Sequence, residues 1–423
     1  MIRPTHRLGA TAVALLALVS VAACGSDDDD GADPAGGDDL ATTTPASAEA
    51  CPGDPLTFTM IASLTGPVAT SGDDVQNGVT AAMTAVNEEC ALGRPLEIKI
   101  CDDQSNPNES LACGRTAADD SLALLDSLSS LQDGPEASGL PSVLNLGSTT
   151  FDLTSPQSYP AGAGPVVVLG EVGTAKALGA TDVLFVAPDL AYTQAIFGIA
   201  QGLAAERGIT LEAQFFPATT TDFAPIAAQV AGAAPDAVML LSPTPLPVFN
   251  AFDGAGLSPA ETPVITIAAF VSPDAIAELG EKIEGSYLVS QIVPPSEDDN
   301  PAIAQMREEY ENVDLDFDDP SISTYAVIAW SDVHVLAAAL AGLEPEQLES
   351  LDGAGVVEAL EAASPIEHDT RAPIDYTTPA FEDGPLASFR IFSHEAMVLR
   401  VEDGELRPVT DFVDVTTDFE LDE

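Results

Sequence analysis

Leu56-Thr57-Phe58-Thr59-Met60-Ile61-Ala62-Ser63-Leu64, followed at once by Thr65-Gly66-Pro67, decides the fold of this 423-residue chain. A mostly apolar run of this length, closed by a Gly-Pro turn, reads as a strand buried in a sheet. Downstream, Val75, Val79, Met83 and Val86 recur at helical spacing. Leu96, Ile98 and Ile100 then alternate as a second strand, and Asn106-Pro107-Asn108-Glu109 opens another helix. The alternation continues with expected strands over 181–188, 209–216, 235–241 and 264–269 and a helix over 194–207. Further helices are expected over 302–310, 326–340 (containing Trp330) and 353–363, and C-terminal strands over 377–381 and 389–401. Strand alternating with helix predicts an α/β protein, a mostly parallel sheet with helices on both faces.

Another apolar run, 143–146, stops at Gly147 and is followed by Ser148, Thr149 and Thr150. Glycine lets a backbone turn sharply and approach a ligand, and hydroxyls beside backbone N–H groups suit a carboxylate or amide. The same residues also fit a plain polar turn after a strand.

The first fifty residues carry no core. Arg3, His6 and Arg7 precede an apolar run over 8–21, too short for a membrane span. It ends in Val21-Ala22-Ala23-Cys24-Gly25, which predicts an export signal over 1–23. Small residues before Cys24 resemble the lipobox of bacterial lipoproteins, which implies that Cys24 is lipidated on the outer face of the cytoplasmic membrane. Residues 24–50 are rich in Asp, Gly, Pro, Ser and Thr and read as a solvated acidic tether. Four cysteines remain in the folded part, an even number suited to an oxidising compartment. Of the three pairings open to them we expect Cys51–Cys90 and Cys101–Cys113, which join neighbouring elements.

Thirteen Lys and Arg against 68 Asp and Glu give a formal charge of −55. That balance argues against nucleic acid and anionic membranes as partners, leaving a lipid anchor as the expected membrane contact. The four histidines show no ligand or triad spacing, and no GxSxG, Walker A or HExxH motif occurs. Asp314-Leu315-Asp316-Phe317-Asp318 begins like a calcium loop but has Asp319 and Tyr325 where Gly and Glu are required. No metal, cofactor or enzymatic activity is expected.

Ser63-Leu64-Thr65-Gly66-Pro67-Val68-Ala69 with Gly72 and Asn77-Gly78 resembles the opening of the branched-chain amino-acid binding family, the type I periplasmic binding proteins of ABC importers. The resemblance continues through Cys101-Asp102-Asp103-Gln104-Ser105-Asn106-Pro107 and through Gly147-Ser148-Thr149-Thr150 with Asp152-Leu153-Thr154, and spans residues 56–404. It implies two Rossmann-like three-layer lobes joined by three hinge crossings. The first lobe is expected over 51–168 and 287–370, the second over 169–286 and 371–412, with a loose acidic tail over 413–423.

The resemblance also implies a site. Ser129 or Ser130 and Thr149 would hold a ligand carboxylate, the backbone at Gly147 and Ser148 completing the cradle. Ser71 stands where relatives often have an aromatic, and Tyr192 is the aromatic expected to close over the ligand. Alternatively, Ser127–Ser130 is a polar helix end and Tyr192 packs on the sheet. Relatives that bind α-amino acids place Glu where Ala268 stands here, so either another acid substitutes or the ligand lacks an α-ammonium, with Phe270 lining the pocket in the second case. An amide or plain carboxylate would then fit better. The expected protein is a monomeric, lipid-anchored receptor that delivers a small polar solute to an ABC permease. Its rivals are a sensor that reports closure to a membrane protein and an enzyme on the same fold.

Overall fold

The computed structural model describes residues 51–66, 72–125, 128–129, 131–319 and 322–422. The expected export signal, the lipidated Cys24 and the tether over 24–50 lie outside these residues.

The first sheet comprises β1 (Leu56–Ala62), β2 (Leu96–Asp102), β3 (Leu124–Leu125), β4 (Ser142–Asn145) and β5 (Ser158–Pro160). Their order is β2-β1-β3-β4-β5, with every neighbouring pair parallel. Helices α1 (Asp73–Glu89), α2 (Pro107–Asp120), α3 (Asp133–Ser138) and α4 (Thr150–Thr154) connect them. β1 is buried along almost its whole length, as a parallel strand covered on both faces must be.

The second sheet follows, built from α5 (Gly164–Ala177), β6 (Asp182–Pro188), α6 (Ala191–Glu206), β7 (Thr210–Phe216) and α7 (Ala224–Ala233). It continues through β8 (Ala237–Leu240), α8 (Pro245–Gly254), β9 (Val264–Ile267), α9 (Pro273–Leu279) and β10 (Tyr287–Ser290). The chain then returns to the first lobe as α10 (Pro301–Asn312), α11 (Thr324–Leu340), α12 (Pro345–Glu349) and α13 (Gly353–Ala363), ending in the hairpin β11 (Ile366–His368) and β12 (Arg371–Ile374). Finally β13 (Glu395–Glu402), β14 (Glu405–Pro408) and β15 (Val413–Asp414) rejoin the second sheet, where β13 runs antiparallel to β10.

The chain therefore crosses between lobes three times, at 161–163, 291–300 and 375–394. These crossings refine the expected limits. α5 packs on β9, β10 and β13, so its first turns already belong with the second sheet. β10 pairs with β9 and lies in that sheet too, although a first-lobe segment was expected from residue 287. Conversely, β12 pairs with β11 beside α11 and stays with the first lobe. The expected strand over 377–381 is irregular chain, broken by Pro379 and tied at Ala380, whose N–H donates to the carbonyl of Ile391 at 2.7 Å.

In the first lobe, α11 lies along α1. A Cβ at Gly78 would stand 2.7 Å from the carbonyl oxygen of Ala326, so the close crossing needs glycine there. The fully buried Trp330 donates its indole N–H to Glu309 Oε2 at 2.6 Å, and His334 Nε2 meets the same oxygen at 2.9 Å. These bonds fix α11 to α10 and give His334 its structural role. The expected disulfides are present: Cys51–Cys90, with Cα atoms 5.2 Å apart, and Cys101–Cys113, at 5.8 Å.

The segment beyond Phe412 is not loose. β15 pairs with β13, and Arg207 at the end of α6 donates from Nη2 to the carbonyls of Val415 (2.8 Å) and Thr417 (2.9 Å). The N–H of Asp422 reaches Val409 at 2.8 Å, and Phe419 packs against Gly173 on α5. Acidic composition alone suggested disorder, whereas one buried guanidinium from a distant element holds the backbone. Arg207→Gln should speed amide exchange over 415–422 and leave that of β6 unchanged; equal protection in both proteins would assign the anchoring elsewhere.

Candidate functional site

Loops from the carboxyl ends of both sheets enclose a cavity of about 600 Å³. The crevice beyond the strand ends is where open α/β sheets bind ligands, and the volume suits a small molecule.

The end of β4 shapes one wall. Leu144 holds φ +58°, and the pairing of β4 with β5 shifts register between Val143 and Asn145. A bulky residue rarely adopts that conformation, and local strain of this kind gathers at functional sites. The bulge lets Leu144 and Asn145 both line the cavity, whereas an unbroken strand would send them to opposite faces. Asn145 Nδ2 lies 3.0 Å from both Ser142 Oγ and Ser158 Oγ, and its Oδ1 accepts from the N–H of Gly147 at 3.1 Å. Gly147 takes φ +58°, and a Cβ there would lie 2.5 Å from the carbonyl oxygen of Gly162. Glycine is thus what allows the loop to press against the first crossing.

Of the expected ligand residues, Ser129, Ser148, Thr149 and Phe270 line the cavity. Gly147 shapes the loop behind it. Ser71 and Ser130 lie outside the described residues, as does the side chain of Tyr192, whose backbone opens α6 next to the lining residues Leu190 and Thr193.

The expected backbone cradle is already occupied. The N–H groups of Ser148 and Thr149 donate to Asp152 Oδ2 at 3.2 and 3.0 Å, and the N–H of Gly147 is taken by Asn145. Asp152 returns its own N–H to Thr149 Oγ1 at 3.1 Å, which completes a capping box on α4. The hydroxyl residues Ser148, Thr149 and Thr150 line the cavity, with Thr149 Oγ1 already accepting the N–H of Asp152. Ser129 is similarly committed, because its Oγ donates to the fully buried Asp103. Asp103 also accepts from Ser63 Oγ at 2.7 Å and from the N–H of Ser105 at 2.8 Å, joining the loops after β1 and β2.

The remaining wall is largely apolar, with Val167 and Val168 from α5, Ile196 from α6, Leu241, Ile267 and Ile328 among its residues. Ala268 is buried off the surface of the cavity, while Ala269 and Phe270 reach it. Glu171, one turn beyond Val167 and Val168, is fully buried with neither carboxyl oxygen hydrogen-bonded, and burial pushes its pKa well up. Among the described lining residues there is no Asp or Glu, and the one cation is Arg371.

Gln291 and Arg371 are among the lining residues that sequence reasoning did not name. Gln291 in the second crossing carries no sequence signal. Arg371 had one: it is among only thirteen cations, set between apolar elements.

The periplasmic binding protein family matches residues 55–404. A solute-binding protein of an ABC transporter from Aeropyrum pernix shares the fold with a TM-score of 0.71 at 19% identity, covering 86% of this chain and 96% of that one. A fatty acid ABC transporter substrate-binding protein from Thermomonospora curvata superposes with 0.70 at 15% identity, over 88% and 96%. A solute-binding protein of R. palustris in complex with 4-hydroxybenzoate does so with 0.67 at 18%, over 88% and 98%. In sequence, the Leu/Ile/Val-binding protein BraC3 of Rhizobium johnstonii is 32% identical over 68 residues, which is 16% of this chain and 18% of that protein.

Burial pushes the Asp152 carboxyl up to about 6, against the hydrogen bonds from Thr149 and Ser148 that hold it down. A folded-state pKa raised from 3.8 means that stability from this group is full at acid pH and lost as pH rises through about 6. Asp152→Asn keeps an acceptor for the two N–H groups and cannot ionise. Relative to the parent, its unfolding free energy should rise between pH 4 and pH 7 by up to about 3 kcal/mol; parallel urea-unfolding stabilities across that range would contradict the assignment.

Proposed function

The chain belongs to the periplasmic binding protein family, and from that premise we propose that it is an extracytoplasmic receptor delivering a small organic solute to an ABC permease. The observation that carries this reading is a cavity to which both lobes and their crossings contribute. Gly162 and Ala163 of the first crossing and Gln291 and Ile292 of the second line it together with loops of both sheets. A solute held there touches both lobes at once, so it stabilises the closed arrangement over any open one.

The crossings are linked so that they move together. Gln291 Oε1 accepts from the N–H of Ala163 at 2.7 Å, and its Nε2 lies 3.4 Å from the carbonyl of Glu395. The third crossing rests on the first lobe through Arg390, whose guanidinium stacks 4.6 Å over Tyr159 and donates from Nε to the carbonyl of Ser158 at 2.5 Å. Leu190, at the cavity lip on the second lobe, is 47% exposed. Closure would cover it, which adds an apolar contribution to the shut state.

Outside the described residues, a lipidated Cys24 and the acidic segment over 24–50 would hold the receptor to the outer face of the cytoplasmic membrane while leaving it free to reach the permease. A monomer suffices for this role. The proposal is of binding alone; among the described residues lining the cavity, no acid, base and nucleophile converge.

Purified protein should gain melting temperature with at least one compound in a screen of amino acids, amides and carboxylates. Ser148→Ala with Thr149→Val should weaken binding of that compound about tenfold or more, as lost hydroxyl contacts do. No shift across a broad solute library, or unchanged affinity in the double variant, contradicts the cleft as the binding site. Cys24→Ser should move the protein from the membrane to the soluble extracytoplasmic fraction, and retention in the membrane would refute the anchor.

A further inference from the structure

Resting on the receptor reading above, we infer that the solute is an organic monocarboxylate with an apolar body and no ammonium group, and that Arg371 receives its carboxylate. The charge distribution argues this first. The chain holds 68 acidic residues, yet none is among the described residues lining the cavity. An ammonium group entering this space would meet no carboxylate among the described lining residues, and a buried cation without a partner is strongly disfavoured. The apolar wall of Leu144, Val167, Val168, Leu241, Ile267 and Phe270 instead suits an aromatic ring or a short alkyl chain.

The placement of Arg371 argues it second. Thr324, Tyr325 and Ile328 on α11 line the cavity, and Ser331 and Asp332 follow Ile328 at three and four residues, on the same helix face. Arg371 crosses this face from β12. Its Nη2 donates to Ser331 Oγ and pairs with Asp332 Oδ1 at 2.6 Å. The guanidinium has five donors, and Nε is buried with no hydrogen-bond partner. Tyr376, whose hydroxyl interacts electrostatically with both Asp332 and Arg371, is buried, and that hydroxyl also lacks a partner. Two unfilled donors on neighbouring side chains, one of which lines the cavity, are unusual, since buried polar groups are nearly always bonded. A carboxylate entering the cavity would meet Arg371, the one cation among its described lining residues.

The surrounding groups fit this role. His368, next to Arg371 on the hairpin, is driven down to about 3 by burial, by Arg371 and by His334, so it is neutral and does not compete for an anion or add charge. Asp332 fixes one edge of the guanidinium and leaves the rest to the ligand, the arrangement that gives charge-assisted bonds their directionality. A primary amide of the same shape would lose that charge assistance.

The test uses benzoate, octanoate, their primary amides and L-leucine as probes, with binding read by calorimetry. At least one carboxylate should bind about tenfold or more tightly than its amide, the size expected of a charge-assisted bond. Arg371→Met removes the cation paired with buried Asp332 and is prone to misfold, so Arg371→Met with Asp332→Leu is the informative variant, a swap of a buried pair that folds commonly tolerate. In that folded double variant the preference for carboxylate over amide should vanish while the amide still binds. Equal binding of acid and amide by the parent, a preference that survives in the double variant, preferred binding of leucine, or no binding of either carboxylate overturns the inference. The receptor reading stands or falls separately: it survives if the cleft binds an amide or leucine instead, and fails if no solute of any class binds.

Discussion

Asp103, Asp152 and Asp332 stand directly behind the cavity wall, and each meets a donor of the chain itself. Asp103 ties the loops after β1 and β2 to Ser129, Asp152 fixes the loop after β4, and Asp332 holds Arg371. A carboxylate buried without such partners would be neutralised or expelled. Held this way, the three acids become the scaffold of the site, while the described residues of the surface they support present hydroxyls, amides, apolar side chains and one guanidinium. In a chain with a formal charge of −55, keeping acids off that surface is a precondition for admitting an anion at all.

The same bonds link the site to the hinge. The loop after β4 is pressed against the first crossing at Gly147 and Gly162, and the first crossing is bonded to the second through Gln291. The hairpin that carries Arg371 is joined to the second crossing, where the N–H of Val293 donates to Thr370 at 2.8 Å. Groups that would hold a solute are thus one or two contacts from the segments that must rotate. Ligand contact and lobe position are therefore coupled by short, packed connections.

Much of this architecture was legible in the sequence. The alternation that starts at Leu56 carries the α/β class, because a strand buried on both faces and a helix buried on one have different periods. Of the three cysteine pairings, the one that joins neighbouring elements was expected, and it is the one present. Within the site, Ser148, Thr149 and Phe270 could be named in advance, yet their use could not. Thr149 and Asp152 have the spacing of a capping box, and that local pattern, read as such, would have revealed that the loop's N–H groups were spent. Arg371 was hidden for a different reason: its partner Asp332 lies on another element, and their meeting depends on how the hairpin packs on α11. The tail beyond Phe412 was misread because composition describes a segment alone, while Arg207 reaches it from α6.

The central claim is that a solute in this cavity draws the two lobes together. The most direct measurement is energy transfer between dyes on exposed Asp119 of α2 and Glu278 of α9, one on each lobe. The account predicts that transfer rises as a bound solute saturates the protein and returns to its starting value when the solute is removed. Unchanged transfer at a solute concentration where calorimetry registers full occupancy would contradict it.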